Sequence, residues 1–376
     1  MSANSKIEWT DHTFNPWWGC THVHEGCRHC YAETWANRFG VKWGPSGVRR
    51  LSSDAIWKQP LKWNRDAAKA GVRAKVFCAS MADVFEDWTG PIVDRESHEL
   101  WMAPVEPGRF VPWRDPETLL EVERQNIENG VYRKATLDDV RQKLFQLIDA
   151  TPHLDWQLLT KRPQNIRSIW MPRMHKSPQA IAEYFSVTNH LWPDENACIN
   201  DESFRPNVCL GTSIGDQASA DNQIHTLQEC RDLSPVLFLS IEPLLGPMDL
   251  DFACARRDLS CIDWVIAGGE SGNGARPMHP DWVRSLRDQC IAAEVPFFFK
   301  QWGEWIAWDE ATLFDRGDNR EQWITLDGTL LPERPTAELA RSIGATRILR
   351  VGKDRAGRKL DGREWSEFPI VESEAV

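Results

Sequence analysis

The segment Gly19–Ala32, GCTHVHEGCRHCYA, holds three cysteines (Cys20, Cys27, Cys30) and three histidines (His22, His24, His29) within eleven positions. Thiols and imidazoles at this density point to a metal centre. The chain's other seven cysteines are scattered singly, and the sequence opens with no signal-type apolar run, so no disulfide framework is expected. Two metals compete on the spacing. Structural zinc takes four protein ligands, and His22, His24 or His29 could supply the fourth. An iron–sulfur cluster on three thiolates keeps one iron open for another ligand. The cluster fits better, because structural zinc commonly uses two separated Cys-x-x-Cys hooks and only one occurs here.

Other reactive side chains stand at the ends of short apolar runs. VFCAS leads to Ser80 and Asp83, and WQLLT to Thr160, Lys161 and Arg162. NVCLGTS leads to Ser213 and Asp216, VLFLS to Ser240 and Glu242, and DWVIAGG to Gly268, Gly269 and Glu270. PFFFK leads to Lys300, Gln301 and Trp302. Taken singly, Asp83, Ser213 and Asp216 could be helix caps. Lys161, Arg162, Glu242, Glu270 and Lys300 together mean more, since charges at inner strand ends are costly unless paired or ligand-bound. A ring of them implies a polar cavity for a charged ligand.

Elements must carry that ring. The runs are apolar on both faces, as buried parallel strands are. FNPWWG, running into Cys20, is an earlier and weaker candidate strand. Helix-like stretches at 216–232 and 279–294 lie between the later runs, the second with Val283, Leu286, Cys290 and Ile291 on one stripe. Strand-helix alternation predicts an α/β fold, a partial parallel (β/α)6–7 barrel with a doubly wound open sheet as the alternative. Insertions are expected at about 88–135 and 164–206 within a barrel over 1–302. Residues 303–376 read as a small β-rich C-terminal subdomain.

The totals set limits. Net charge is −11, which argues against a chain that coats nucleic acid over its whole surface. Yet 341–363 carries eight Lys/Arg against two acids, a local +6 that could hold phosphates, face solvent or pair with the acidic remainder. No run approaches a membrane span, so a cytoplasmic protein with no membrane partner is expected. Twenty tryptophans suit core packing, with a few free to stack on a ring-shaped ligand.

Set on the loop after a first strand, Cys20, Cys27 and Cys30 in CxxxxxxCRHCY resemble the three-cysteine signature of radical S-adenosylmethionine (SAM) enzymes, whose first gap is usually three residues rather than six. FCASMADVFED, QLLTKRP and the serine of GTS resemble, in order, strand-end segments of the spore photoproduct lyase-like branch. Over nearly the whole chain, KIEWTDHTFNPWWGC, CRHCYAE, LTKRP, SIEPLLGP, DWVIAGGESG, FFFKQWGEW and VGKDRAGRKLDGREW resemble a phage- and mobile-element-associated three-cysteine family. The resemblance implies that Cys20, Cys27 and Cys30 ligate a [4Fe-4S] cluster whose open iron chelates SAM. Reductive cleavage of SAM would give a 5′-deoxyadenosyl radical. It further implies that Lys161 and Ser213 meet the SAM carboxylate or ribose, and that Ser80 and Asp83 meet its ammonium. Glu242, Glu270, Lys300 and Gln301 are assigned to the substrate side, as catalytic candidates, or to ion pairs within the site. GGESG lies about 240 residues past the cysteines, away from the place of the SAM-binding GGE of radical SAM enzymes; its glycines could let backbone approach a ligand. The expected substrate is a nucleic acid base or nucleotide, with an electron-donor protein and a partner encoded nearby. Two alternatives are a zinc-stabilised nucleic-acid-binding protein and a radical-SAM-like partner without turnover.

Overall fold

The computed structural model describes residues 5–102, 110–112, 125, 128–130, 132–170, 204–254, 258–311 and 320–370. Seven strands form one sheet: β1 (His12–Thr13), β2 (Ala74–Cys78), β3 (Leu154–Thr160), β4 (Val208–Ile214), β5 (Val236–Ile241), β6 (Trp264–Gly268) and β7 (Phe297–Gln301). All neighbours are parallel, and spatial order equals chain order. A doubly wound sheet reverses its order partway. This one does not, so it is a half-barrel.

Side-chain alternation gives the half-barrel two faces. On the outer face, Val76, Leu158, Leu210, Leu239, Val265 and Phe299 join a core shared with the helices. Those helices include α2 (Gln59–Ala70), α3 (Leu137–Asp149), α4 (Gln217–Gln228) and α5 (Pro280–Ala292), following α1 (Tyr31–Arg38) on the cysteine loop. On the inner face, Phe77, Cys209, Val236, Phe238, Trp264, Ile266 and Phe298 pack with Trp9 in a separate cluster. Gly211 makes that aromatic plug possible, since a Cβ there would lie 2.4 Å from the Phe238 ring. Continuing the inward positions toward the strand ends, Leu159 gives way to Lys161, Gly211 to Ser213, Phe238 to Ser240, and Phe298 to Lys300. The concave face is therefore aromatic at its base and polar at its mouth.

The stretches 216–232 and 279–294 contain α4 and α5. Asp216 caps α4 through a reciprocal pair of bonds with Ser219. On α5, Val283, Leu286 and Cys290 are buried, whereas Ile291 is 54% exposed and lies off the packed stripe. FNPWWG departs from its expected place. The half-barrel starts ahead of it at β1, and Trp17–Trp18 instead pairs antiparallel with Arg49–Leu51 in a small separate sheet.

After β7 come β8 (Trp305–Ala307), β9 (Arg320–Ile324), β10 (Leu330–Leu331) and β11 (Thr346–Arg350), an antiparallel sheet in the order β8-β11-β9-β10. The chain then returns to the free edge of β7. Phe299 N–H donates to Trp365 O at 3.0 Å, and Glu367 N–H donates to Phe297 O at 3.2 Å. Of the region 88–135, Leu100–Met102, Phe110–Pro112 and Arg133–Lys134 make a three-stranded antiparallel sheet. Most of its remainder, and 171–203 of the second insertion, lie outside the described residues. Among the described residues no helix is long and apolar enough to cross a membrane.

Candidate functional site

The cysteine loop follows Trp17–Trp18 and is pinned at its start by Gly19. Gly19 takes φ +124°, and a Cβ there would lie 2.5 Å from Val48 O. Its N–H donates to Met81 O at 3.0 Å, which ties the loop to the segment after β2. Glu25–Cys27 is a single 3-10 turn, and Cys30 is the N-cap of α1.

Each sulfur has a hydrogen-bond donor. Arg162 Nη1 donates to Cys20 Sγ at 3.7 Å, and Val23 N–H to Cys27 Sγ at 3.5 Å. The amides of Glu33 and Ala32 donate to Cys30. Burial, and then the Asp83 and Glu86 carboxylates, push the Cys20 thiol up to about 12; burial likewise raises Cys30. As free thiols these two stay protonated at neutral pH, so a bound metal is what would hold them as thiolates. Among the described residues, the one set of three His/Cys/Asp/Glu ligand atoms lying within 4.8 Å of one another is Asp94, Glu96 and His98. Cys20, Cys27 and Cys30 do not form such a set, so at least one pair of their sulfurs lies more than 4.8 Å apart. Three free thiols, each supplied with a donor, fit the ligand set of an iron–sulfur group.

The histidines are engaged elsewhere. His24 Nδ1 accepts from Gly26 N–H at 3.0 Å, so Nε2 carries the proton that it donates to Ser213 O at 3.1 Å. Burial, and then the Lys161 ammonium, lower its proton affinity and keep it neutral. His22 Nε2 meets Glu33 at 2.8 Å, and His29 Nδ1 meets Glu270 at 3.2 Å.

Behind Cys20 lies a buried charge network. Arg162 donates to Asp83 at 2.8 Å and to Thr21 O at 2.8 Å, and it stands 3.6 Å from Glu86. Glu86 takes a bidentate pair from Arg49 at 2.7 Å, and Arg49 stacks 3.7 Å over Trp88. Asp83 also accepts from Thr160 Oγ1 at 2.7 Å, Lys161 N–H at 3.1 Å and Phe85 N–H at 3.0 Å. Its oxygens are fully engaged within the protein, so Asp83 positions Arg162 and the start of the Lys161 turn rather than facing the cavity.

Lys161 and Ser213 are brought together, Nζ to Oγ at 2.5 Å. Ser80 exchanges hydrogen bonds with Asn15, and its carbonyl accepts from Tyr31 Oη at 2.9 Å. Tyr31 is half exposed, and its hydroxyl lies near Cys30 and Glu242. Its ring therefore borders the cavity mouth. Glu242 receives Lys300 Nζ at 2.6 and 2.8 Å and Gln301 Nε2 at 2.9 Å. Glu270 is clamped by Arg276 through Nε at 2.9 Å, Nη2 at 2.7 Å and backbone N–H at 2.7 Å. Against the upward pull of burial, these bonds hold its carboxyl below the usual range. Within GGESG, Gly269 is required for backbone packing, since a Cβ there would lie 2.0 Å from Trp302 O.

In the basic segment 341–363 the acidic remainder supplies most partners. Arg347 meets Glu321, Arg350 stands 4.0 Å from Glu304, Arg358 3.7 Å from Glu364, and Arg363 3.8 Å from Glu367. Sequence reasoning gave no role to Tyr31, Asn15, Arg49, Glu86 or Arg276. The acids of DVFED and the tyrosine beside Cys30 were the available signals.

No curated protein matches this chain, and no solved structure does. A family model described as "Protein of unknown function (DUF5131)" matches residues 4–101 and 113–369. With that match spanning nearly all of its length, the chain belongs to the DUF5131 family.

Proposed function

We propose that the protein is a radical SAM enzyme that acts on a nucleic acid base or nucleotide. The observation that carries this reading is the cysteine loop itself. Three donor-supplied thiols on one loop sit beside the polar mouth of a sequentially wound half-barrel. Of the three histidines, His24 has both ring nitrogens engaged, by Gly26 N–H and Ser213 O, and is not a ready zinc ligand.

Cys20, Cys27 and Cys30 would hold a [4Fe-4S] cluster, which with SAM supplies a 5′-deoxyadenosyl radical for hydrogen abstraction. The chain's own residues do the rest. Lys161, with Ser213 beside it, offers a cation and a hydroxyl to a carboxylate. Ser80 and the Tyr31 ring border the same mouth. Arg162 donates to the Cys20 sulfur, and hydrogen bonds of that kind tune a cluster's potential. The Glu242–Lys300 pair, 14–21% exposed by side chain, gives the opposite rim a charged group on either side of a proton. The aromatic plug below keeps water from the base of the cavity.

The test is anaerobic purification followed by iron and sulfide analysis. A brown protein with about four irons, losing them in Cys27→Ala, and yielding 5′-deoxyadenosine with SAM and dithionite, is the expected result. One zinc and no iron after reconstitution would overturn the proposal.

A further inference from the structure

Helix α1 buries Ala32 and Ala36 against Val41 and Met81 and turns its aromatic residues outward. Tyr31 and Trp35 stand at i and i+4 of α1, about 6 Å apart along the axis, and Phe39, the residue that caps its C-terminus, extends the row. They are 53%, 47% and 55% exposed. Large rings on a surface helix are normally turned inward, where burial is favourable. Here the small residues face the core and the rings face solvent. The rings are also ordered: Trp35 and Phe39 stack with centroids 5.8 Å apart at 13°, and Trp18 packs edge-on against Phe39 at 5.7 Å.

Cations are interleaved with the rings. Arg38 lies 5.7 Å over Trp35, and Arg50 lies 4.9 Å over Trp18. Burial, and then the nearby Arg95 guanidinium, lower the proton affinity of Arg50. Among the described residues no carboxylate forms an ion pair with Arg38, Lys42, Arg50 or Arg95, whereas most arginines of 341–363 have one. From Glu25 to Arg50 five Lys/Arg stand against two acids, a local +3 in a chain of net −11. Neighbouring guanidiniums without an acid between them call for an anion, and solvent-facing rings call for flat partners. One class of macromolecule offers both along a line. The row also has a direction: its first ring, Tyr31, borders the cavity mouth beside Cys30, and the others lead away from it.

We propose that Tyr31, Trp35 and Phe39, with Trp18, Arg38 and Arg50, form a stacking track that binds single-stranded nucleic acid and leads one base toward the cavity beside Cys30. Bases stack on the rings, and the guanidiniums take the phosphates. This inference rests on the nucleic-acid half of the proposed function and not on the cluster.

The test uses full-length protein, purified anaerobically with its iron content measured, and fluorescence anisotropy of labelled 12-mers of single-stranded DNA, single-stranded RNA and duplex DNA. Single strands are expected to bind more tightly than duplex. The double variant Trp35→Ala/Phe39→Ala should bind at least about tenfold more weakly, since each base–aromatic stack contributes a factor of that order. Arg38→Gln/Arg50→Gln should flatten the slope of log affinity against log salt by about 1.4. All four side chains are wholly or partly exposed, and an unchanged melting temperature certifies the variants. Wild-type protein that binds no single strand overturns the track, as does binding that both double variants leave intact. So does a wild-type dimer, seen by sedimentation, that Trp35→Ala/Phe39→Ala abolishes while oligonucleotide affinity is unmoved. Iron-replete protein that binds no oligonucleotide sinks the track and spares the cluster. Iron-free protein that binds through α1 does the reverse.

Discussion

At the scale of single residues, the site works by giving each reactive group a second tether. Arg162 reaches Cys20 across 142 positions of sequence and is itself held by Asp83 and Glu86; His29 reaches Glu270 across 241. Such partnerships are set by where loops return, so no spacing in the sequence announces them. The strand-end residues were legible because charges there break an apolar pattern. Asp83 was legible as polar but not as fully engaged, since three of its four donors come from Thr160, Lys161 and Arg162, 77 to 79 positions further on. Lys161 carries the sharpest expectation at this scale. Among the described residues its ammonium meets the Ser213 hydroxyl and no carboxylate, so Lys161→Ala removes a cation without stranding a buried acid. SAM affinity measured by equilibrium dialysis should fall about tenfold or more, the loss of one charge-assisted contact, with iron content unchanged. Equal SAM affinity in parent and variant would remove Lys161 from the site.

At the scale of elements, the half-barrel was readable because its strands are apolar on both faces, one toward the helices and one toward the aromatic plug. The first strand was not. β1 pairs over only His12–Thr13, too short for any periodicity, and the more conspicuous FNPWWG drew attention to a strand of another sheet. The plug itself depends on one missing side chain. Gly211→Ala would place a methyl 2.4 Å from Phe238, in a cluster whose members are almost wholly buried. Overpacking of this kind costs about 1–3 kcal/mol, so the midpoint of chemical unfolding should drop. Adding Phe238→Leu should restore part of the loss. A second change that only adds to the first would mean the two side chains do not share that space.

At the scale of the whole molecule, one buried cation makes stability depend on pH. Lys143 on α3 is 2% exposed, with Asp54 at 3.9 Å and the Trp57 ring at 4.3 Å. Burial lowers its pKa from 10.5 to about 7. Between those values the unfolded chain holds a proton that the folded chain does not, so stability rises with pH from about 7 toward 10.5. Below about 7 both states carry the proton and the cost of burying the charge is fully present. Urea unfolding at pH 7 and pH 9 should show a rise in Lys143→Met smaller than in the parent, by on the order of 2 kcal/mol. Identical rises would show that Lys143 does not titrate in this range. The return of Trp365–Glu367 to β7 acts at the same scale, and its consequence lies in time. β7 leaves the ribosome before the whole antiparallel sheet of β8–β11, and its outer edge has no backbone partner until the chain at Trp365 arrives. An unpaired parallel edge is a template for other chains. Nascent protein is therefore most exposed to misassociation during the interval in which the appendage is being made, and the appendage's own folding speed sets how long that interval lasts.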